Sequence, residues 1–577
     1  MSLNTAIQIG RSALTAGQIG LQTTGNNLAN AATPGYSRQT LALSPTRGQR
    51  TGQGYLGRGV TVNDVQRQVS ESLRARLRAS ISDAAAARQS LDLRASLEVT
   101  LNELSGNDLS SQFNSFFNAW SEQANLTDAA AVIVQEGQQL SALIQQRHED
   151  LSRLRGEVDN ELDALVTRAD QLIGEVADLN KEIVASEIGG SSANSLRDRR
   201  DQALAELSEL MDVTKIEQPD GGVDLLVGST PIVTAGLVRN LSLERRTVDG
   251  RLEVEVLAGT SDRRLTIESG RIGALLTERS DAINATLDEL DRLSANLIYR
   301  VNRIHSTGVN DDWMQTTSSQ RAMALEDRAM ALNDPANASA SEGAGEAVNG
   351  GFFVHVRHAA TGSTEIVRID VDLDGINAEG EAGFGDDTSA EDLRASLDGI
   401  AGIDASFGPD GRLRIESRAG FEFAFADDSS GVLASLGVNA YFEGSDASSI
   451  RVRSDLLEQP SKLQVGAIVD GEFVENAAAL GIVELQDTPL ENLGGESFRS
   501  AWQLAVQRIA GDTEAAANRA EATGLVRDSL AAQEAAISGV SLDEESINLL
   551  SFQRQYQGAA RLITVADEML QTLLSIV

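Results

Sequence analysis

From Leu549 onward, apolar residues recur at alternating steps of three and four: Leu549, Phe552, Tyr556, Ala559, Ile563, Ala566, Leu570, Leu573 and Val577. This is the seam of a heptad repeat, and it predicts one helix with a continuous apolar edge. Near the other end, Ile7, Leu14, Leu21 and Leu28 stand seven residues apart. The slots between them hold Leu3, Gly10, Gly17 and Thr24, with Gly20 and Gly25 as further interruptions. An interior glycine costs about 1 kcal/mol relative to alanine, so this helix is expected to form mainly when packed. Together the stripes predict a coiled-coil pair in which Ile7, Leu14, Leu21 and Leu28 meet Leu549, Tyr556, Ile563 and Leu570.

Between the ends, the pattern alternates between helical and strand-like periods. Pro34-Gly35 stops the first helix, and β-like alternation follows from Thr40 to Val62. A helical period then runs through Val62, Val65, Val69, Leu73, Leu77 and Ile81, and on to Leu97, Leu101 and Leu104. The strongest helical stripe, Leu151 to Ile183, ends at Gly189-Gly190, and further helices are expected near 194–211, 270–306 and 496–538. Residues 213–268 alternate as strands around the turns Pro219–Gly222 and Val248–Arg251. Beyond the low-complexity stretch Asn337–Gly351, the segments FFVHVRH, EIVRIDVDL, RLRIES and FEFAF also read as strands, with a short helix near 389–399. The expected fold class is α+β and multidomain, with paired terminal helices, a long α-helical bundle and inserted β-rich regions. The expected division is a terminal helical domain of 1–61 and 541–577, a helical bundle of 62–340 and 491–540 with a small β insertion at 213–268, and an outer β-rich domain of 341–490.

Composition narrows the chemistry. A chain of 577 residues is too long for one core. A net charge of −37 argues against nucleic acid as a partner, because nothing would neutralise phosphates. With no cysteine, thiol catalysis, disulfides and thiolate metal sites are excluded. No apolar run is long enough to predict a membrane span. The first residues, MSLNTAIQIGRSALTAG, lack the features of a cleaved secretory signal, so by that logic the protein is expected in the cytoplasm unless another export route applies. Histidines occur at 148, 305, 355 and 358. His355 and His358 fall on opposite faces of a strand, so they do not make a metal pair, and His305 is expected to serve as a structural hydrogen-bonding group. No catalytic motif is present, so neither catalytic residues nor a cofactor are expected. Asp370, Asp372, Asp374 and Glu381 match the spacing of a calcium-binding loop. The strand-like segment before them and the missing exit helix make a solvated acidic turn the plainer reading, with a weak Ca²⁺ site as the sharper one.

The stretch LANAATPGYSR, Leu28–Arg38, resembles the ANxxTPGY signature of bacterial flagellar rod, hook and hook-associated proteins, through Ala29, Asn30, Thr33, Pro34, Gly35 and Tyr36. NSLRDRRDQALAELS (Asn194–Ser208), VNRIHSTG (Val301–Gly308) and the closing Gly539–Leu573 segment resemble the hook-associated, FlgK-like family in particular. Rod and hook proteins usually carry Asn where this chain has Ala560. The resemblance implies a structural, non-enzymatic subunit of the hook–filament junction that assembles with copies of itself through its terminal helices. It implies hook protein on one side, the second junction protein FlgL on the other, and an FlgN-like chaperone on the C-terminal helix. It further implies a transient cytoplasmic stage, type III export and a final place in the extracellular flagellum. Apolar positions left over from the seam, such as Leu562 and Met569, would then contact neighbouring subunits. The alternatives are a hook or distal-rod subunit, or a flagellum-borne enzyme or Ca²⁺-binding module housed in the inserted region.

Overall fold

The computed structural model describes residues 3–51, 54–101, 103, 108–125, 128–248, 251–259, 264–341, 345–377 and 380–576. Leu104, Asp249, Gly250 and Val577, which the sequence pattern assigns to a helix, a turn and the seam, lie outside them. The chain is α+β and multidomain. It divides into two compact units, one of Met1–Leu93, Glu157–Arg279 and Glu514–Val577, the other of Arg94–Gly156 and Ser280–Thr513. The long helices Glu71–Leu101, Ala130–Glu187 and Phe498–Ser538 each contribute to both.

In the first unit, the N-terminal helix Leu3–Ala29 packs along the C-terminal helix Leu542–Ile576. The chain then enters an antiparallel pair of strands, Gln39–Pro45 with Val60–Arg67. This corrects the helical reading of Val62 and Val65. Val65 pairs with Leu41 and Val62 with Leu43, because a β-bulge between Ala42 and Leu43 inserts an extra residue in the second strand. Two valines three apart thus face one side of a strand and mimic a helical step. The helix itself starts only at Glu71.

The C-terminal part of helix Ala130–Glu187 buries Leu162, Ala169, Ile173 and Val176 completely, and Gly190 in the left-handed region ends the turn that follows it. Against this helix lies a four-stranded antiparallel sheet, Thr214–Glu217, Val223–Val227, Thr230–Thr234 and Leu237–Val238. Asn180 anchors the two, donating to the Val223 carbonyl at 2.8 Å and accepting from the Val223 N–H at 3.2 Å.

The second unit is organised around the helix Leu109–Ala124, whose first turn is capped by Asp108 accepting from the Ser111 N–H at 2.7 Å. Its buried rings, Phe116 and Trp120, lie 5.9 and 5.6 Å from Tyr441, and Tyr441 lies 4.6 Å from Phe442. The β-rich part includes two three-stranded antiparallel sheets that share a core. One orders Thr364–Val371, Gly350–His358 and Phe421–Ala426; the other orders Thr316–Ala322, Arg412–Ser417 and Ile403–Phe407. Their alternating apolar residues, among them Phe352, Val354, Ile403, Ile415 and Phe423, form one core with the helix Ala390–Asp398. That helix opens with a reciprocal capping box between Ser389 and Asp392.

Candidate assembly site

The paired terminal helices fit small residues against large ones. The N-terminal helix buries Gly10, Ala16, Gly17, Gly20, Thr23, Thr24 and Asn27. A Cβ at Gly10 would stand 2.7 Å from Ile563 Cγ1, one at Gly17 3.4 Å from the Tyr556 backbone, and one at Gly20 2.5 Å from the Phe552 ring. The glycines therefore form the groove that receives the partner's side chains. Ile7, Leu14 and Leu21 are half-buried beside this groove, and Leu28 is exposed. The face of closest approach is thus the glycine side, not the Ile7–Leu28 stripe, because only residues without a side chain let the two backbones come so near.

On the C-terminal helix, Ala559 and Ala566 are buried, and Leu549, Phe552, Ile563 and Leu570 are half-buried. Tyr556 is partly exposed although it lies against Gly17, and Leu573 is 56% exposed. A second apolar stripe, Leu562, Val565, Met569 and Leu573, recurs at helical spacing and is exposed throughout.

The signature motif folds beneath the end of the N-terminal helix. Thr33 bonds back to Asn30, its N–H to the carbonyl at 2.9 Å and its hydroxyl to Oδ1 at 3.3 Å. Asn30 Nδ2 reaches Asn26, and Gly35 takes a positive φ of 76° that completes the turn. Tyr36 is thereby directed at Asn27, donating to its Oδ1 at 2.8 Å. Burial first, then the negative charges of Asp198 and Glu545, push the Tyr36 phenol up to about 12. Asn27 Nδ2 donates to buried Glu545 at 3.0 Å and to the Gln39 carbonyl at 2.9 Å. Arg38 pairs with Glu544 at 2.8 Å and with Glu545 at 2.9 Å, and its N–H donates to the Ser538 carbonyl at 2.8 Å. The motif is therefore a clasp on the first turn of the C-terminal helix, where the carboxylates also interact favourably with the positive end of the helix dipole.

A second cluster joins this clasp to the NSLRDRRDQ segment, helix Asn194–Leu210. Ser37 donates to Asp198 through its hydroxyl at 2.6 Å and its N–H at 3.2 Å. Arg67 bridges Asp198 at 2.9 Å and Asp201 at 2.8 Å; Arg74 reaches Asp201 at 2.6 Å and Glu534 at 3.0 Å. Burial alone would raise the Asp201 carboxyl, but Arg67, Lys215 and Arg74 outweigh it and hold it below the ordinary range. Such a shielded network differs from an exposed pair: removing one partner strands buried charge, at a cost of about 3–5 kcal/mol. Two motifs that looked independent in the sequence thus meet. The sequence offered no spacing from which to find the pairings of Asn27 and Arg38 with Glu545, or of Arg67 and Arg74 with Asp201 and Glu534, since those partners lie far apart along the chain. The one available signal was that both motifs carry charged or hydroxyl residues in otherwise apolar-periodic stretches.

The acidic loop is arranged differently from a wrapped calcium loop. Asp370 lies next to last in the strand Thr364–Val371 and pairs with Arg368 at 3.0 Å; the Glu381 carbonyl accepts from the Asn377 N–H at 2.8 Å, and the Glu381 N–H donates to Asn377 Oδ1 at 2.9 Å. Neither joins the acidic cluster that contains Asp372 and Asp374. His305 is a satisfied structural group. Its Nδ1–H donates to the Asn439 carbonyl at 2.7 Å, and its Nε2 accepts from the Gln464 N–H at 3.3 Å. Burial, with Arg453 nearby, pushes it down to about 3, so it is neutral.

Three family models match the chain. "Flagellar hook-associated protein FlgK helical domain" covers residues 94–317, "Flagella basal body rod protein" 7–36, and "Flagellar basal body rod FlgEFG protein C-terminal" 533–576. Terminal helices of rod type, clasped end to end, define the class: the axial structural proteins of the bacterial flagellum. Flagellar hook-associated protein 1 of Bacillus subtilis is 24% identical over 100% of this chain and 98% of its own length. The protein of the same name in Escherichia coli is 23% identical over the full length of both. The solved structure of the flagellar hook junction protein FlgK from Burkholderia pseudomallei matches 80% of this chain and all of its own with a TM-score of 0.52 at 13% identity, a likeness of fold. The FlgK helical-domain match and the full-length likeness to hook-associated proteins support a structural hook-associated subunit of the flagellum. The rod and hook alternatives are not favoured, since the rod-type matches stop at the two ends whereas the FlgK match spans the middle. No helix among the described residues is long and apolar enough to cross a membrane.

Proposed function

We propose that the chain builds the hook–filament junction, assembling with copies of itself through the outer face of the terminal helix pair. The observation that carries this is the double-sided C-terminal helix. One face is taken by the glycine groove of Leu3–Ala29, while Leu562, Val565, Met569 and Leu573 stay uncovered on another. A helical assembly requires contacts that repeat without closing, and an uncovered apolar stripe beside a finished intramolecular face suits that need. In this reading, residues 1–61 and 541–577 form the axial part. Residues 62–340 with 491–540, and then 341–490, form successively more outward parts, and no segment is catalytic. The neighbours along the axis are hook protein and an FlgL-like protein. Before export by the flagellar type III route, the exposed stripe is the surface an FlgN-like chaperone covers, and the final location is extracellular.

The test is Val565→Asp, a charge placed on the uncovered stripe and away from the glycine groove. The expected result is a purified protein with an unchanged unfolding profile that no longer supports filaments in cells lacking the native copy. Normal filaments on that variant would sink the proposal.

A further inference from the structure

We propose that Asp372, Asp374 and Asp387, with Asn333 holding Asp387 in place, form a site for one hard divalent cation of calcium's size. One carboxylate oxygen from each aspartate lies within 4.8 Å of the others. Oxygens bound to one Ca²⁺ at about 2.4 Å are at most about 4.8 Å apart, so the three can share an ion without rearranging the backbone.

The backbone holds these segments in register. Thr388 donates its N–H to the Asp372 carbonyl at 2.7 Å, and the Asp372 N–H donates to Thr388 Oγ1 at 2.8 Å. The Leu332 N–H donates to the Thr388 carbonyl at 3.0 Å, which brings Asn333 alongside.

Buried acceptors supply a second, independent observation. Asp387 is only 5% exposed. Its Oδ2 accepts from Asn333 Nδ2 at 2.6 Å and from the Gly375 N–H at 3.1 Å. Its other oxygen, Oδ1, is buried and accepts from no described group, and the same holds for Oδ1 of Asn333. A residue of the cluster, itself only 5% exposed, thus carries an unpartnered carboxylate oxygen, and a cation held with the two further carboxylates satisfies it. The donor set is all oxygen, which selects a hard ion over zinc or copper. Asp372 and Asp374 are exposed, leaving room for the waters that complete a flexible six- to eight-fold shell, an arrangement that suits Ca²⁺ better than the rigid octahedron of Mg²⁺.

Bound there, the ion ties the 372–374 turn to Asp387 and to the 331–334 segment, and so stabilises the β-rich part of its unit. The experiment is calorimetry of the full chain in chelator and in millimolar CaCl₂, with NaCl of matched ionic strength and MgCl₂ as controls, and equilibrium dialysis for calcium bound per chain. The expected result is an upward shift of several degrees in one transition with Ca²⁺ alone, and one ion per chain. Asp374→Asn, an exposed change, abolishes both, while Asp370→Asn and Glu381→Gln leave both intact. The proposal is overturned by no calcium-specific shift, by an equal shift in NaCl or MgCl₂, or by bound calcium that survives Asp374→Asn and is lost with Asp370→Asn.

Discussion

The helices Leu109–Ala124 and Leu3–Ala29 bury their faces by opposite means. The first buries Leu109, Phe113, Phe116, Phe117 and Trp120; the second buries three glycines, one alanine, two threonines and one asparagine. Fully burying a Phe or Leu stabilises by about 1.5–3 kcal/mol, whereas a glycine contributes no side-chain area and only lets a partner approach. The difference teaches that one face is a closed interior, stable by its own apolar area. The other is a thin seam whose strength comes from its partner's Phe552 and Ile563 and from the polar clasp of Asn27, Arg38 and Glu545.

The comparison breaks most visibly with Phe116→Ala. That ring is fully buried, and its removal is expected to destabilise its unit by about 3–5 kcal/mol in urea unfolding, leaving the terminal pair unchanged. A matching loss in terminal-helix protection would mean the two regions are not independent.

Acid should separate them next. His305 has a folded pKa of about 3 against an ordinary 6.5, so between these values the unfolded chain holds the extra proton and stability falls as pH falls. The slope is about 1.4 kcal/mol per pH unit across that window. In the first unit the Asp201 carboxyl lies below its ordinary 3.8, so its contribution is intact above that value and is lost only as pH falls through the lower folded one. Unfolding followed from pH 7 to 4.5 should therefore weaken the His305 unit first, and His305→Gln should flatten the slope.

The smallest effect is the most diagnostic. Gly20→Val places a Cβ against the Phe552 ring and should weaken the terminal pair by about 1–3 kcal/mol. Gly25→Ala meets nothing within 4 Å and should instead strengthen the helix by about 1 kcal/mol. Hydrogen exchange of the N-terminal helix reads both, and equal signs for the two variants would refute the groove.

Much of the fold was legible wherever one element's own periodicity decided it. The C-terminal helix, the strands FFVHVRH and FEFAF and the helix near 389–399 all follow from local spacing. Val62 and Val65 misled because a bulge gave a strand the step of a helix. The groove of Gly10, Gly17 and Gly20 was legible as weakness before it was legible as contact, since apolar patterning scores side chains and not their absence. The clasp and the acidic cluster were illegible for another reason. Asp387 joins Asp372 only through the hydrogen bonds between the Asp372 and Thr388 loop segments, and Arg74 meets both Asp201 and Glu534 only once three separate helices have packed.

The buried hydrogen bond from Asn27 to Glu545 spans 518 positions of sequence. A contact of that separation closes almost the whole chain into a loop, and its entropy must be met before the bond yields anything. The ribosome makes Glu545 518 positions after Asn27, so the two partners remain unmatched while all of that chain is synthesised. The pairing is a late event by topology alone: helix Leu3–Ala29 waits for helix Leu542–Ile576.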